Sequence, residues 1–219
     1  QGPEMKELRK IQPSLTTVSK QLKSFKSLLD HHSSLGEREL LDFFKHHEQL
    51  IPGMVSQVLP QLSPHDYVAR EYDLFGDFTC DFVIGNKESR QPIYCVVEFE
   101  DARPESIFKN KPGKHTSEWS PRFEQGFFQL VDWFHQLDDL KPTTLFRNKF
   151  GENPEFYGLL VIGRNQFLND SERRRLNWCS GKILINSCKI YCKTFDDLYD
   201  DMAYKYRVFA DQVAFLKAV

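Results

Sequence analysis

Hydrophobic residues recur along this chain with two periods, and each period predicts a different kind of element. Apolar residues that return every three or four positions predict amphipathic helices. Short alternating or near-continuous apolar runs predict strands. The predicted helices span residues 14–32, 37–49, 123–140, 171–178 and 195–218. The predicted strands span residues 67–72, 78–84, 93–100 and 156–163, with one or two more within 183–191.

The order of these elements predicts an α/β domain with a mixed β-sheet flanked by helices and an N-terminal helical extension. The polar turn between the second and third strands is short, which indicates antiparallel neighbours. Alternation within residues 78–84 predicts that Phe78, Cys80, Phe82 and Ile84 share one side of the sheet. The helix at 14–32 is amphipathic without an obvious partner in the domain, so we expect either self-association as a homo-oligomer or a link to a sensor region outside this sequence.

Composition narrows the class of protein. The 219 residues include 14% aromatic side chains, which excludes a disordered chain and predicts one domain of ordinary size. The formal net charge is −2, from 29 basic and 31 acidic residues. This balance excludes a histone-like protein and restricts any nucleic-acid site to a local patch.

The ends and the cysteines indicate where the protein works. No stretch approaches the roughly twenty apolar residues of a membrane helix, so we expect no membrane partner. Residues 1–3 are typical of an affinity-tag remnant, and we expect further domains in a longer chain. The five cysteines lack the paired spacing of a zinc site. We therefore expect reduced thiols and a cytoplasmic location.

Three acidic residues stand within or at the end of predicted core strands. Asp81 interrupts one apolar run, while Glu98 and Glu100 close the next and lie on the same face. Clustered buried carboxylates require a compensating cation, and Mg²⁺ suits an oxygen-ligand site of this kind, with Mn²⁺ as the alternative. The simpler interpretation places the three acids in solvent at turns and strand ends.

Basic residues follow the acidic cluster. Residues 101–121 are polar and basic, and they predict a mobile loop that leaves directly from the acidic strand end. We expect phosphate contacts from this loop and from the start of the next helix. These candidate DNA-binding residues are Lys109, Lys111, Lys114 and Arg122. The run of three arginines at 173–175 is more typical of a solvated helix face.

Four motifs, taken in order, resemble the PD-(D/E)xK nuclease superfamily and, within it, the Shedu-type nuclease domain. They are a strand-borne aspartate followed by a glutamate-containing strand end, an acidic first helix, a glutamine-bearing helix and a strand-to-helix turn near the C-terminus. The motifs are Asp81 with residues 96–100, residues 36–44, residues 129–133 and residues 194–198. The resemblance covers about residues 35–219, so residues 4–34 form a separate N-terminal helical segment.

The resemblance implies a restriction-endonuclease-like core and a metal site. Asp81, Glu98 and the carbonyl oxygen of Phe99 match the positions that hold the metal in this superfamily. The glutamate from the first helix corresponds to Glu39, with Glu37 as the alternative. The implied activity is Mg²⁺-dependent hydrolysis of DNA phosphodiester bonds in bacterial anti-phage defence, by an endonuclease rather than an exonuclease.

The resemblance also assigns roles to polar residues that do not hold the first metal. Gln129 matches the glutamine that steadies the attacking water or a metal-bound phosphate, and Gln125 is the reserve candidate. The superfamily's catalytic lysine is replaced here by Glu100, which is expected to position water or a second metal. A loop lysine that reaches the site is the second explanation. Two further hypotheses are a catalytically impaired DNA-binding or scaffold module and a metal-free interaction domain.

Overall fold

The computed structural model describes residues 7–62, 67–76 and 78–218, with side chains described as far as residue 213. The helices are α1 (Leu15–His31), α2 (Glu37–His46), α3 (Pro121–Leu140), α4 (Thr144–Phe150), α5 (Asp170–Lys182) and α6 (Phe195–Ala218). The strands are β1 (Arg9–Lys10), β2 (Tyr67–Asp73), β3 (Thr79–Asn86), β4 (Ile93–Phe99), β5 (Phe108–Lys109), β6 (Glu118–Trp119), β7 (Glu155–Val161), β8 (Leu184–Ile185) and β9 (Cys188–Lys193). A 3₁₀ turn at Glu48–Gly53 follows α2.

Seven of the described strands form one mixed sheet in the order β1-β2-β3-β4-β7-β9-β8. Strands β1 to β4 are antiparallel neighbours, whereas β4, β7 and β9 run parallel. Parallel neighbours require long crossovers, and here each crossover contains a helix, α3 after β4 and α5 after β7. The predicted mixed α/β fold is therefore confirmed.

Helices cover both faces of the sheet, and each face has its own core. One core joins α1, α2 and α6 to the sheet, and the other joins α3, α4 and α5 to the opposite face. The strands buried on both faces are consequently apolar along almost their whole length. In β4, Cys95 and Val97 face the first core, while Tyr94 and Val96 face the second. Glu98 continues this second set, which places its side chain on the α3 side of the sheet.

The N-terminal helix is packed into the domain. Its apolar stripe, Val18, Leu22, Phe25 and Leu29, is buried, and α1 lies against α6 and the 3₁₀ turn. Strand β1 adds the preceding residues to the edge of the sheet beside β2. The stripe that lacks an obvious partner in the sequence is thus covered within the chain itself, and homo-oligomerisation stays a prediction.

The predicted alternation along β3 is wrong at one point. Phe82 and Ile84 belong to the first core, but Cys80 packs in the second core, and Phe78 packs against it. The cause is a backbone irregularity, because Glu71 on β2 has a φ of 48° and the regular β2–β3 pairing skips it. Such a break in a ladder redirects the side chains beyond it. It falls beside Asp81.

Residues 101–120 are more ordered than the predicted mobile loop. Strands β5 and β6 pair as a short antiparallel hairpin, which we call the basic hairpin (residues 108–119). Trp119 stacks between Phe108 and Phe123, with ring centroids 4.3 Å from each. The guanidinium of Arg175 lies over the same stack, 5.2 Å from the Trp119 ring. The indole therefore anchors the hairpin to the domain.

Two further expectations concern membranes and thiols. Among the described residues, no helix is both long and apolar enough to cross a membrane. The five cysteines are free, and all except Cys188 are buried.

Candidate functional site

The candidate site lies where β3 and β4 stop pairing. Regular pairing between these strands begins at Phe82 and Val97, and extending that register would set Asp81 opposite Glu98. Instead of continuing the ladder, the backbone N–H of Phe99 donates to Oδ2 of Asp81 at 2.8 Å. The regular ladder thus ends at this point, and the carboxyl groups of Asp81 and Glu98 lie next to each other.

The carboxyl groups are removed from solvent. Glu98 is 7% exposed and Glu100 is 2% exposed, while Asp81 is partly buried. The Oε2 atom of Glu98 is buried and has no N–H or hydroxyl donor among the described residues, and the carboxyl group of Asp81 lies within hydrogen-bonding reach of the Glu98 carboxyl group. A buried oxygen without such a donor is costly, so this atom is suited to receive a ligand from outside the chain.

Burial changes the protonation of the cluster. It raises the pKa of Glu98 well above its ordinary value, and the nearby negative charges of Asp81, Glu100 and Glu37 raise it further. Burial also raises the pKa of Asp81, although the N–H of Phe99 opposes the shift. The pKa of Glu100 rises to about 7 through burial, against the lowering effect of Arg122. Carboxyl groups whose pKa values are raised by burial and by one another are candidates for a functional site.

Helix α3 brings a cation to these acids. Ser120 caps the helix by accepting the N–H of Phe123 at 3.0 Å, and Pro121 begins the first turn. Arg122 follows, and its Nη1 atom lies 3.0 Å from Oε2 of Glu100 and 3.6 Å from Oε2 of Glu37. The predicted DNA-binding residue Arg122 therefore belongs to the acidic cluster itself.

One turn later, Gly126 allows α3 to approach Glu100 closely. A Cβ at this position would stand 2.9 Å from Cγ of Glu100 and 2.8 Å from Cδ1 of Leu160. Both contacts are shorter than real Cβ atoms tolerate, so the lack of a side chain sets the spacing between helix and strand. The glycine thereby fixes where Glu100 lies.

We predict that Gly126→Ala forces α3 away from β4 and lowers the stability of the domain by about 1–3 kcal/mol. Thermal unfolding would show the loss. Gly181→Ala is the matched control, because a Cβ at Gly181 on α5 meets nothing within 4 Å. An equal effect of the two substitutions would contradict the packing argument.

The glutamate of α2 that acts on the cluster is Glu37. Its negative charge raises the pKa values of Asp81, Glu98 and Glu100. Glu39 is exposed, and its Oε2 atom accepts the N–H of Gly36 at 2.6 Å, which caps the start of α2 with a side chain from the first turn. The structure thus brings the alternative Glu37 to the site and gives Glu39 a role in capping the helix.

The remaining predicted residues occupy α3 and the end of β4. Gln129 is partly exposed and follows Gly126 by three positions, which places it on the same side of α3. Gln125 is exposed. Phe99 contributes its backbone to the site through the bond to Asp81, and its ring is buried in the first core.

Sequence reasoning missed Glu71. Extending the β2–β3 register places it opposite Asp81, and its negative charge raises the pKa of Asp81. With Asp81 and Glu37 it lines a groove of about 380 Å³ between α2 and β2, to which Arg38 and Lys45 contribute cations. The sequence does contain a signal for Glu71. If the predicted strands at 67–72 and 78–84 are paired as a hairpin, Glu71 lies opposite Asp81.

The basic hairpin carries the predicted lysines. Lys109, Lys111 and Lys114 are all exposed. Lys111 lies 3.4 Å from Glu118, and Lys114 also pairs with this glutamate. Exposed ion pairs contribute little to stability, so Lys111 and Lys114 could exchange Glu118 for another anion with little loss of folding free energy.

The donor set limits which metal the site would take. Among the described residues, no group of three or more His, Cys, Asp or Glu side chains is arranged to hold a metal ion. Asp81 and Glu98 offer two carboxylates, and the buried Glu98 Oε2 lacks an N–H or hydroxyl donor. Mg²⁺ commonly uses one or two protein carboxylates and completes its shell with water and substrate phosphate, so these residues fit that ion.

The fold and the site together define the class of protein: an α/β domain with a mixed sheet and buried acids where two neighbouring strands separate. Residues 34–199 match the family described as Shedu protein SduA, C-terminal. The match covers most of the chain, which therefore belongs to the Shedu family, a family of anti-phage defence. A comparison with curated proteins gives no match.

Proposed function

We propose that this chain is a metal-dependent DNA endonuclease of the PD-(D/E)xK superfamily that hydrolyses phosphodiester bonds in anti-phage defence. The observation that carries the proposal is the pair Asp81 and Glu98, where the β3–β4 ladder ends and Glu98 Oε2 is buried without an N–H or hydroxyl donor among the described residues. Membership of the Shedu family supports the biological context.

Each residue has a role that its position supports. Asp81, Glu98 and the carbonyl oxygen of Phe99 would hold Mg²⁺ or Mn²⁺, and Glu37 is the glutamate of α2 whose charge acts on these carboxyl groups. The ion would lower the pKa of a bound water and stabilise negative charge on the phosphate. Glu100 accepts hydrogen bonds from the attacking water.

Gln129 would steady that water or the phosphate from α3. The lysines of the basic hairpin, Lys109, Lys111 and Lys114, contact the DNA backbone on the side from which the chain leaves β4. Such contacts supply affinity without sequence information, so we expect DNA binding that weakens steeply with salt.

The test is cleavage of linear and supercoiled DNA with Mg²⁺, Mn²⁺ or EDTA. We expect cutting that needs a divalent ion, and a loss of at least about 100-fold in Asp81→Asn, which keeps the size of the side chain and removes its charge. Supercoiled DNA, which has no ends, should be cut as well, because the proposed enzyme is an endonuclease.

Glu152→Gln is the matched control. Glu152 is exposed shortly before β7, beside the start of β4 rather than its end, and this variant should cut like the wild type. Equal cutting by wild type and Asp81→Asn would refute the assigned site. Absence of cutting in every metal would refute the enzyme.

Two observations favour a second function, a DNA-binding module without catalysis. Glu100 occupies the position of the superfamily's lysine, and the described residues hold no arrangement of three metal-binding side chains. Such a module would bind DNA through the basic hairpin with equal affinity in EDTA and in Mg²⁺, and it would cut in neither.

A further inference from the structure

We propose that Arg122 is a catalytic residue, whose guanidinium binds the scissile phosphate beside Glu100. This inference rests on the proposed nuclease function and names the group that supplies positive charge at the site. In this proposal the positive charge comes from α3, and not from β4 or the basic hairpin.

The first argument is the position of the guanidinium. Besides its contacts with Glu100 and Glu37, Arg122 lies 3.8 Å from Asp101 through its Nε atom. Among the residues that the structure describes, no other Lys or Arg forms an ion pair with Glu100 or Glu37. The guanidinium of Arg122 thus forms ion pairs with acidic residues of α2, of the end of β4 and of the segment that follows β4.

The second argument is exposure. Two-fifths of the Arg122 side chain is open to solvent, whereas the Glu100 side chain is 2% exposed. Arginine has five N–H donors in a planar fork, which suits two oxygens of a phosphate. Arg122 can therefore keep its contact with buried Glu100 on one side and bind a phosphate on the other.

The third argument is rigidity. Arg122 belongs to the first turn of α3, which is held by the Ser120 cap, and Ser120 also donates to the backbone oxygen of Ser106 at the base of the basic hairpin. The close contact of Gly126 with Glu100 fixes the next turn. A donor held in place before substrate arrives stabilises developing charge without a cost of reorganisation.

The chemical role follows from the charge balance of hydrolysis. Water gives up one proton as its oxygen bonds to phosphorus, the P–O bond to the leaving alkoxide breaks, and that alkoxide takes up a proton from solvent, so protons balance overall. Negative charge grows on the non-bridging oxygens in between. Arg122 would stabilise this charge by hydrogen bonding and is not consumed, since a guanidinium group keeps its charge throughout the reaction.

Two other roles would also explain the contacts. Arg122 would be structural if it only neutralised Glu100, and it would be an affinity residue if it only bound the DNA backbone. A structural role predicts full recovery by any cation at this position. An affinity role predicts weaker binding with an unchanged rate at saturating protein.

The experiment compares wild type, Arg122→Ala, Arg122→Lys and the control Arg103→Ala. Arg103 is another arginine near Asp101, at 3.9 Å, with no contact to Glu100 or Glu37 among the described ion pairs. The measurements are single-turnover cleavage of supercoiled plasmid in Mg²⁺, binding of a short labelled duplex in EDTA, and thermal unfolding.

We expect Arg122→Ala to slow cleavage by at least about 100-fold while affinity in EDTA falls less than about 5-fold. Arg122→Lys, which keeps a charge beside Glu100, should fold like the wild type and recover only part of the rate. Added guanidinium at non-denaturing concentration should accelerate Arg122→Ala and leave Arg103→Ala unchanged.

Four outcomes would overturn the inference. Cutting by Arg122→Ala within a few-fold of the wild type refutes it while leaving the nuclease intact. Full recovery of the rate in Arg122→Lys makes the residue structural, and a loss confined to affinity makes it a backbone contact. If the wild type cuts in no metal, the proposed function fails, and the inference fails with it.

Discussion

Glu98→Gln should abolish metal-dependent cleavage and, at the same time, make the metal-free protein more stable at pH 8. Glutamine has nearly the shape of a protonated glutamic acid and never ionises, so folding at pH 8 no longer requires a proton to be taken up by this buried carboxyl group, and no cavity is left. We expect a gain of about 1–3 kcal/mol at pH 8, seen as an increase of several degrees in the unfolding midpoint.

The sign of the pH dependence follows from the raised pKa of Glu98. Burial holds this pKa above its unfolded value, so between the two values the folded state binds more protons than the unfolded state. The stability associated with the protonated form is complete below about pH 4.5 and is lost as the pH rises towards the folded pKa. Glu100, with a pKa of about 7, adds to the same trend.

The advantage of Glu98→Gln over wild type should therefore grow from pH 5 to pH 8. Mg²⁺ should stabilise the wild type at pH 8 and have much less effect on the variant. Unfolding curves with EDTA or Mg²⁺ at both pH values test this, with Glu152→Gln as the control. A variant that is less stable than wild type at pH 8 would contradict the argument.

Much of the fold could be predicted because its signals are local. The stripe of α1 and the apolar runs of β4 and β7 mark their own elements, since each buries one face or both. Order in residues 108–119 was not predictable in this way. It depends on Arg175, which is distant in sequence and lies over Trp119, and on the start of α3, which places Phe123 against the same ring.

The part of the site that lies on β3 and at the end of β4 could be predicted from the sequence. Asp81, Glu98 and Glu100 stand out because charged residues seldom interrupt core strands. The partners from other elements were harder to identify. Choosing Glu37 over Glu39 requires knowing which way α2 turns each side chain and that Glu39 accepts the N–H of Gly36, and Arg122 becomes part of the cluster only because Gly126 lets α3 approach β4.

The turn at residues 194–198 has a structural explanation that its resemblance to the family does not supply. Arg164, which is 5% exposed, forms hydrogen bonds to both carboxylate oxygens of Asp196 at 3.0–3.1 Å. Its Nη1 atom also donates to the backbone oxygen of His32 at 2.9 Å. Asp196 accepts the N–H of Asn165 at 2.7 Å as well. This network joins the end of β7, the start of α6 and the end of α1.

Asp196→Ala should consequently destabilise the domain by about 3 kcal/mol, because it leaves the buried guanidinium of Arg164 without its counterion. The cost lies at the lower end for a buried pair, since 26% of the Asp196 side chain is exposed. Thermal unfolding should show a decrease of roughly 6–12 °C. Asp132→Ala, which removes an exposed carboxylate from α3, is the control and should have little effect.

The double substitution Arg164→Met with Asp196→Leu removes both charges and should recover most of the stability, since the penalty comes from the unpaired charge. If Asp196→Ala unfolds at the same temperature as the control, the network does not hold the three elements together.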